Sequence, residues 1–207
     1  MTRILRIDSS SRTENSHSRQ LADYFQTMWQ QKHPDTQIVV RDLIQTPIPH
    51  LSDTAIAGFY TPAEQQTPAM QQETAISNEL VKELQSSDIL LVSVPMYNFS
   101  LPAALKAWID QIVRIGETFA YDGTNFTGLV KVKRAYIICT YGSSGYVNGG
   151  AFSALNFLEP YLQGLLSFLG IKEIKFFHLQ GTTADEATVK SNTQEVQKAI
   201  AETINAA

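Results

Sequence analysis

Cysteine and clustered histidine are both nearly absent from this sequence of 207 residues. Cys139 is the single cysteine, and the four histidines never stand four residues apart. One cysteine excludes a disulfide framework and any metal site built from several cysteines, and the histidine spacing excludes a zinc pair on one helix face. We therefore expect no metal ion. Cys139 lies in an apolar run, which predicts a buried structural thiol and not a nucleophile.

An excess of charge and a long apolar run are also missing. The sequence has 16 Lys and Arg against 20 Asp and Glu, and basic residues never stand more than two in a row, which argues against a nucleic-acid partner. The densest apolar stretch, 162–171, is broken by polar residues and glycines, so no membrane span is expected. The amino terminus begins with a strand pattern instead of a signal peptide. With 43% hydrophobic residues, residues 1–207 are expected to form one cytoplasmic domain.

Strand and helix patterns alternate along the chain, which predicts an α/β protein. The predicted strands are 4–8, 38–43, 89–95, 135–140 and 173–179, and the predicted helices are 16–33, 69–86, 102–114, 154–169 and 184–205. Five such units favour a doubly wound, five-stranded parallel sheet with helices on both faces. Segment 46–68 contains four prolines and is expected to be a partly ordered excursion outside the core. Ligands of such sheets bind at the carboxyl ends of the strands, so three loops deserve scrutiny.

The first loop, residues 8–18, is rich in hydroxyl side chains. Ser9, Ser10, Ser16 and Ser18 lie near a predicted helix start that carries no carboxylate. Because the free N–H groups of a helix N-terminus attract anions, this loop predicts a site for one phosphate. His17 either bonds this phosphate or simply faces water. The alternative is that Ser16 only caps the helix. Gly-x-Gly-x-x-Gly and the lysine-bearing P-loop are absent, which argues against a dinucleotide-binding domain and a nucleoside triphosphatase.

The second loop, Pro95-Met96-Tyr97-Asn98-Phe99, follows the most apolar strand. Turns favour Gly, Asn and Asp, so Met, Tyr and Phe here predict buried walls for a flat ring system, with Asn98 bonding its edge. The alternative is an aromatic plug that closes the end of the sheet.

The third loop follows the fourth strand and contains several glycines, which allow a ligand to approach the backbone. Its first residues are Thr140, Tyr141, Gly142 and Ser143. Glycine loops also serve plain turns, so this indication is weaker than the other two. The sequence shows neither a Ser-His-Asp order nor a Gly-x-Ser-x-Gly motif, and we predict no catalytic side chain.

These strings together resemble the FMN-dependent NADH:quinone oxidoreductases of the bacterial azoreductase type. The resemblance extends over essentially the whole chain, and Pro95-Met96-Tyr97-Asn98-Phe99 is its most specific part. Further matching strings are Ser16-His17-Ser18, Arg41-Asp42-Leu43, Pro47-Ile48-Pro49, Thr118-Phe119-Ala120-Tyr121, Gly128-Leu129-Val130 and Pro160-Tyr161-Leu162. The resemblance implies that the whole chain forms one domain, which has a flavodoxin-like fold and binds FMN.

The resemblance also implies the ligands and their contacts. NADH, or also NADPH, would donate electrons, and a quinone or an azo compound would accept them. Ser10 and the turn 16–18 would hold the FMN phosphate, Pro95 and residues 96–99 would line the ribityl chain and the isoalloxazine, and residues 140–143 would meet the pyrimidine edge. Phe119, Tyr121 and Phe168 would contact the substrate. Many members have Arg-Gly-Gly where this chain has Tyr141-Gly142-Ser143, so an arginine contact near the flavin is missing here.

The resemblance further implies a two-electron, ping-pong reaction in which NAD⁺ leaves before the acceptor enters. Hydride chemistry needs no acid–base pair from the protein because the cofactor supplies it. The alternative from another class is a flavodoxin-type electron carrier, which shares the fold and the hydroxyl-rich phosphate loop; a non-catalytic scaffold is a further one. Flavodoxins are shorter and more acidic, and they have no counterpart of segments 46–68 and 116–133, which we expect to wall a substrate pocket.

The helix predicted over 154–169 indicates a homodimer. Its leucines suffice to pack the helix against the sheet. They are Leu155, Leu158, Leu162, Leu165, Leu166 and Leu169. Phe157, Tyr161 and Phe168 widen the apolar face to roughly 180°, against about 100° for an ordinary surface helix. This aromatic edge needs cover, and the resemblance favours a second copy of the chain with a shared flavin site. The alternative is that segment 46–68 covers it within one chain.

Overall fold

A computed structural model, which describes residues 1–206, contains one large parallel sheet. Its strands are β1 (Arg3–Asp8), β2 (Gln37–Asp42), β3 (Ile89–Pro95), β6 (Arg134–Thr140) and β7 (Glu173–Leu179). Two short strands, β4 (Phe119–Tyr121) and β5 (Phe126–Gly128), lie outside it. The strand order is β2-β1-β3-β6-β7, with every pair parallel. Pairing of Asp8 with Asp42 and of Pro95 with Thr140 brings the carboxyl ends of neighbouring strands to one edge. The predicted five-stranded α/β sheet is confirmed.

Helices cover both faces of the sheet. They are α1 (His17–Lys32), α2 (Asp53–Tyr60), α3 (Pro68–Gln85), α4 (Ala103–Ile112), α5 (Leu158–Phe168) and α6 (Glu186–Ala206). Phe25 of α1 and Ile200 of α6 are buried in one core, whereas Leu80 of α3, Trp108 of α4 and Leu162 of α5 are buried in the other. Two cores separated by one sheet give the doubly wound arrangement predicted from the alternating patterns. Within residues 1–206, no helix is long and apolar enough to cross a membrane.

Segment 46–68 holds a helix that the sequence analysis did not predict. The Ser52 hydroxyl caps α2 by accepting a hydrogen bond from the N–H of Ala55 at 3.0 Å. Gly58 lets α2 approach α3 closely, since a Cβ there would lie 2.7 Å from a methyl carbon of Thr74. The prolines bound this short helix on both sides instead of preventing it, so the expectation of an excursion outside the core was wrong for α2.

The loop predicted over 116–133 contains the antiparallel hairpin of β4 (Phe119–Tyr121) and β5 (Phe126–Gly128). The hairpin packs against the end of α5, where the N–H of Val130 donates to the carbonyl of Leu169 at 3.1 Å. Gly128 lies directly on this backbone, because a Cβ at that position would come within 2.2 Å of the main chain of Leu169 and Gly170. Strands of three residues are too short to give a periodic signal, which explains why the sequence predicted only a loop.

Helix α5 begins later than predicted, at Leu158 instead of residue 154. Leu155 belongs to a separate 3₁₀ turn and is 40% exposed, so it does not share the core face of the helix. Leu158, Leu162 and Leu166 are buried, as expected. The Leu155 prediction was wrong because the sequence pattern was read as one continuous helix, whereas the helical conformation is interrupted at Asn156.

Candidate active site

A cavity of about 210 Å³ opens at the carboxyl edge of the sheet. Its lining combines eight of the predicted cofactor-binding residues with four others. The predicted ones are Ser10, Ser16, His17, Pro95, Met96, Tyr97, Thr140 and Gly142, and the others are Arg12, Asn15, Thr182 and Thr183. The structure thus brings all three predicted loops to one place.

The start of α1 is left open toward this cavity. Ser16 occupies the N-cap position in an extended conformation, but its side chain makes no capping bond to the helix. Its Oγ lies 3.3 Å from the Oγ of Ser18 instead. The first N–H groups of a helix have no acceptor within the helix, and the first turn of α1 carries no acidic side chain. The positive end of α1 is therefore free to receive an anion.

The serine loop is held by a half-buried guanidinium. Arg19 Nη2 donates to the carbonyl oxygen of Ser10 and to Asp42 Oδ1, both at 2.9 Å. The hydrogen bond between these side chains raises the pKa of Arg19 and lowers the pKa of Asp42. Asp8, 3.7 Å from Arg19, accepts a hydrogen bond from Ser93 at 2.8 Å. This network ties the ends of β1, β2 and β3 to the serine loop, and sequence reasoning did not find it because its members lie far apart in the chain.

The second loop forms a tight turn with an unusual backbone. Tyr97 and Ser100 exchange backbone hydrogen bonds of 2.9 and 3.0 Å, and Asn98 and Phe99 between them have φ values of 48° and 71°. Asn tolerates this left-handed region, whereas Phe is strained in it, and such strain concentrates at functional sites. This is a type I′ turn.

The side chains of this turn differ from the predicted buried wall. Phe99 is 42% exposed and Asn98 is also exposed, so the expectation that Phe99 is buried was wrong, and so was the alternative of an aromatic plug. Met96 and Tyr97 are half-buried and line the cavity, but Asn98 and Phe99 do not line it. The Tyr97 hydroxyl accepts a hydrogen bond from the N–H of Ser11 at 3.3 Å, which joins the second loop to the first.

The third loop contributes Thr140 and Gly142 to the cavity, but neither Tyr141 nor Ser143 lines it. Tyr141 is fully buried and stacks on Tyr146 with ring centroids 5.7 Å apart. Burial raises the pKa of its phenol, so the group stays neutral. The position at which the resembling enzymes often have arginine therefore supplies packing and no cation. Ser18 is likewise buried and does not line the cavity.

A fourth loop, after β7, was missed by the sequence analysis. The N–H groups of Thr182 and Thr183 donate to the carbonyls of Tyr141 and Gly142 at 3.0 and 3.1 Å, and both threonines line the cavity. Since β7 ends at the same edge as its neighbours, its loop could have been included on topology alone. Arg12 and Asn15 carried no comparable signal.

The three predicted substrate-binding aromatics lie together but away from this cavity. Phe119 and Phe168 pack with ring centroids 5.0 Å apart, and Phe126 stands between them and Tyr121. None of the three lines the cavity of the serine loop. Among residues 1–206, no group of His, Cys, Asp and Glu could hold a metal ion.

Comparisons with known proteins agree with this geometry. The family described as having a flavodoxin-like fold matches residues 2–204. An FMN-dependent NADH:quinone oxidoreductase of Xanthobacter autotrophicus is 48% identical over 175 residues, 84% of each chain, and one of Hydrogenovibrio crunogenus is 38% identical over 97% of this chain and 98% of its own. An azoreductase crystal structure from Bacillus anthracis superposes with a TM-score of 0.90 over both entire chains at 20% identity, which shows the common fold. The chain belongs to the flavodoxin-like family of FMN-dependent NADH:quinone oxidoreductases.

Proposed function

We propose that the protein uses FMN to transfer electrons from NADH to quinones, and that it also reduces azo compounds. The names of the two relatives support the cofactor, the donor and the quinone acceptor. The name of the structural neighbour from Bacillus anthracis supports azo reduction. The observation that carries the proposal is the meeting of an open helix N-terminus and a half-buried Met–Tyr wall in one cavity. We further propose that the protein acts in the cytoplasm, where NADH is available.

The residues of the cavity fit FMN at both ends. The uncapped start of α1 and the hydroxyls of Ser10 and Ser16 are the kind of donors that a phosphate monoester requires. Pro95, Met96 and Tyr97 offer the apolar and aromatic surface that a flat ring requires. We propose that these two groups hold the phosphate and one wall of the flavin, respectively, and that backbone groups at Thr140 and Gly142 meet its polar edge.

When bound, FMN supplies the capacity to accept a hydride and to deliver two electrons to an acceptor. The protein's own residues bind and orient the cofactor and exclude water from it. Arg19 fixes the serine loop by holding the carbonyl of Ser10, and Tyr97 links that loop to the wall. Tyr141, buried and neutral, adds no charge to the third loop. An electron carrier without its own substrate is not favoured, because the relatives are named as enzymes that act on quinones.

Steady-state kinetics provide the test of this function. We expect parallel double-reciprocal plots of NADH oxidation at several quinone concentrations, because donor and acceptor use one cavity in turn. The purified protein should be yellow and release FMN on heating. Lines that intersect, release of FAD, or failure to reconstitute with FMN would each contradict the proposal, and absence of quinone turnover in an FMN-loaded protein would point to a carrier.

Two substitutions at Asn98 distinguish the role of its side-chain amide from the role of its left-handed backbone conformation. Gly adopts the left-handed region freely, so Asn98→Gly removes only the amide, whereas Asn98→Ala also strains the turn. Asn98 is exposed and lies outside the cavity lining, so we propose that the cofactor extends past Tyr97 to reach its amide. On that basis we expect Asn98→Gly to weaken FMN binding by about 2- to 10-fold, the value of one hydrogen bond of about 0.5–1.5 kcal/mol. Fluorescence titration of the apoprotein with FMN measures the affinity. An unchanged affinity and turnover in Asn98→Gly would leave Asn98 as a turn residue only.

We also propose a homodimer that shares its flavin sites. A groove of about 760 Å³ between α4 and α5 is lined largely by apolar side chains, including Leu101, Phe157, Pro160 and Tyr161. Phe157 is 57% exposed, which is unusual for so large an apolar ring. Segment 46–68 does not provide the cover, because its helix α2 packs on α3. The hairpin aromatics of a second copy would then supply the substrate contacts that one chain leaves outside its cavity.

Sedimentation at low micromolar concentration should therefore give a species of twice the chain mass of 23.0 kDa. A species of single chain mass would refute the dimer. Mixing two inactive variants tests the shared site, one altered at Met96 and one at Tyr121. Activity should return when subunits exchange, and its absence after proven exchange would place each site within one chain.

A further inference from the structure

A second cavity, of about 550 Å³, lies between α2, α3 and the segment after α4. Its lining includes Phe59, Gln66, Asn78, Lys82, Arg114 and Glu117. In a parallel sheet the connecting helices run back toward the amino ends of the strands, and Arg114 follows the end of α4. The cavity therefore lies toward the opposite edge from the serine loop and shares no lining residue with that site.

Arg114 is a buried cation without a carboxylate partner. Its side chain lies over the ring of Phe59, with the guanidinium carbon 4.4 Å from the ring centroid, and only 8% of the residue is exposed. Nη1 donates to Ser77 Oγ at 3.1 Å and to Asn78 Oδ1 at 2.6 Å. Both acceptors are neutral, and within residues 1–206 no carboxylate oxygen lies within 4 Å of this guanidinium.

This arrangement is costly for the protein alone. A buried charge needs a counter-charge, and loss of water lowers the pKa of Arg114, with the carboxylate of Glu117 opposing the shift. Glu117 and Lys82 are exposed residues that line the cavity, so their charges offset one another and the excess positive charge is that of Arg114. The cavity is thus an electropositive space built around one guanidinium.

The free edge of the guanidinium fits a particular kind of ligand. Nε is enclosed, so a ligand in the cavity does not reach it, whereas Nη2 is not enclosed and makes no hydrogen bond among the described residues. An unpaired guanidinium N–H donates a strong, charge-assisted hydrogen bond to an oxygen of a carboxylate, phosphate or sulfate group. We propose that this cavity binds a small oxyanion through such a hydrogen bond from Nη2 of Arg114.

Thermal denaturation of the FMN-saturated protein tests this proposal, because bound FMN keeps the probe anions out of the serine-loop cavity. The probes are phosphate, sulfate and citrate, each compared with sodium chloride at the same ionic strength. We expect at least one of them to raise Tm saturably, by about 2–4 °C at roughly five times its Kd. A response to citrate alone would indicate a carboxylate ligand, and a response to phosphate and sulfate a tetrahedral one.

Four variants make the test specific. Arg114→Gln should abolish the shift in Tm, and Arg114→Lys, which keeps the charge but loses the planar guanidinium, should lower the apparent affinity for the anion at least tenfold. Lys82→Gln at the rim of the cavity should lower the apparent affinity by a smaller factor. Lys198→Gln on α6 makes the same change in charge and should leave the affinity unchanged. If the Arg114 variants fail to fold, the Lys82 and Lys198 pair and anomalous scattering from selenate soaked into crystals decide the matter.

The proposal is overturned if no probe gives a saturable shift beyond that of chloride. It is also overturned if folded Arg114→Gln keeps the full shift, or if selenate binds elsewhere. FMN content, measured by absorbance in every sample, reports separately on the proposed function. A protein that binds FMN but no oxyanion would leave that function intact.

Discussion

Ser16→Asp should nearly abolish FMN binding while leaving α1 at least as stable as before. Aspartate is as good an N-cap as serine and its charge suits the positive end of a helix, so the fold gains or keeps stability. The same carboxylate would face the phosphate that we place at this N-terminus. Like charges brought together in an interface cost several kcal/mol, and each 1.4 kcal/mol is about tenfold, so we expect FMN affinity to fall by about 100-fold or more.

The matched control is Thr67→Asp, since Thr67 caps α3 by accepting a hydrogen bond from the N–H of Met70 at 3.3 Å. This exposed position lines no part of the serine-loop cavity, so its variant should bind FMN normally. FMN titration and thermal denaturation of the two apoproteins give the comparison. If Ser16→Asp bound FMN as tightly as Thr67→Asp does, Ser16 would be a helix cap and nothing more.

Gly128→Ala should be the most destabilising single-methyl change in the molecule's hairpin. The added carbon would lie 2.2 Å from backbone atoms at Leu169 and Gly170, which cannot rotate away as a side chain could. Either the hairpin lifts from the end of α5 or the backbone after α5 shifts. Overpacking ordinarily costs about 1–3 kcal/mol, and a backbone clash belongs at or above the top of this range, so Tm should fall by about 6–12 °C.

For Gly164→Ala, in helix α5 beside the hairpin, we expect the opposite effect on stability. A Cβ at Gly164 would meet nothing within 4 Å, and Ala exceeds Gly in helix propensity by about 0.8–1.0 kcal/mol. Calorimetry should therefore show Gly164→Ala unchanged or more stable and Gly128→Ala much less stable. Equal Tm values for the two variants would mean that the hairpin is not docked on α5 in solution.

The fold was largely predictable because its long elements have strong periodic signals. β7 was predicted with its observed bounds, Glu173–Leu179, since Gly170 and Gly181 bracket a short run of β-branched and aromatic residues. Helix α2 and the hairpin were not predicted, because eight residues and twice three residues are too few for a period to emerge. Tertiary contacts, such as that of Gly58 with Thr74, determine whether such short elements form.

The candidate site was predictable to the level of its loops but not of its side chains. Topology places every loop after a strand at one edge, which is why Ser10, Met96 and Thr140 meet. Whether a side chain faces the cavity or the core depends on local backbone angles, and Tyr141 and Phe99 show both failures: one is buried behind the loop, and the other is turned out to solvent. The Arg19 network depends on residues from three strands and one helix, which no linear pattern reveals.

The cavity draws on stretches at residues 10–17, 95–97, 140–142 and 182–183, and this dispersion along the chain has a consequence for biosynthesis. As the polypeptide leaves the ribosome, the serine loop emerges early but has no opposite wall until β3 and β6 have paired beside β1. The backbone hydrogen bonds that Thr182 and Thr183 donate to the third loop form only after both residues have emerged and β7 has paired with β6. Nascent chains should therefore acquire the flavin late and abruptly, so that yellow colour in a translating lysate reports completed sheet assembly and not partial folding.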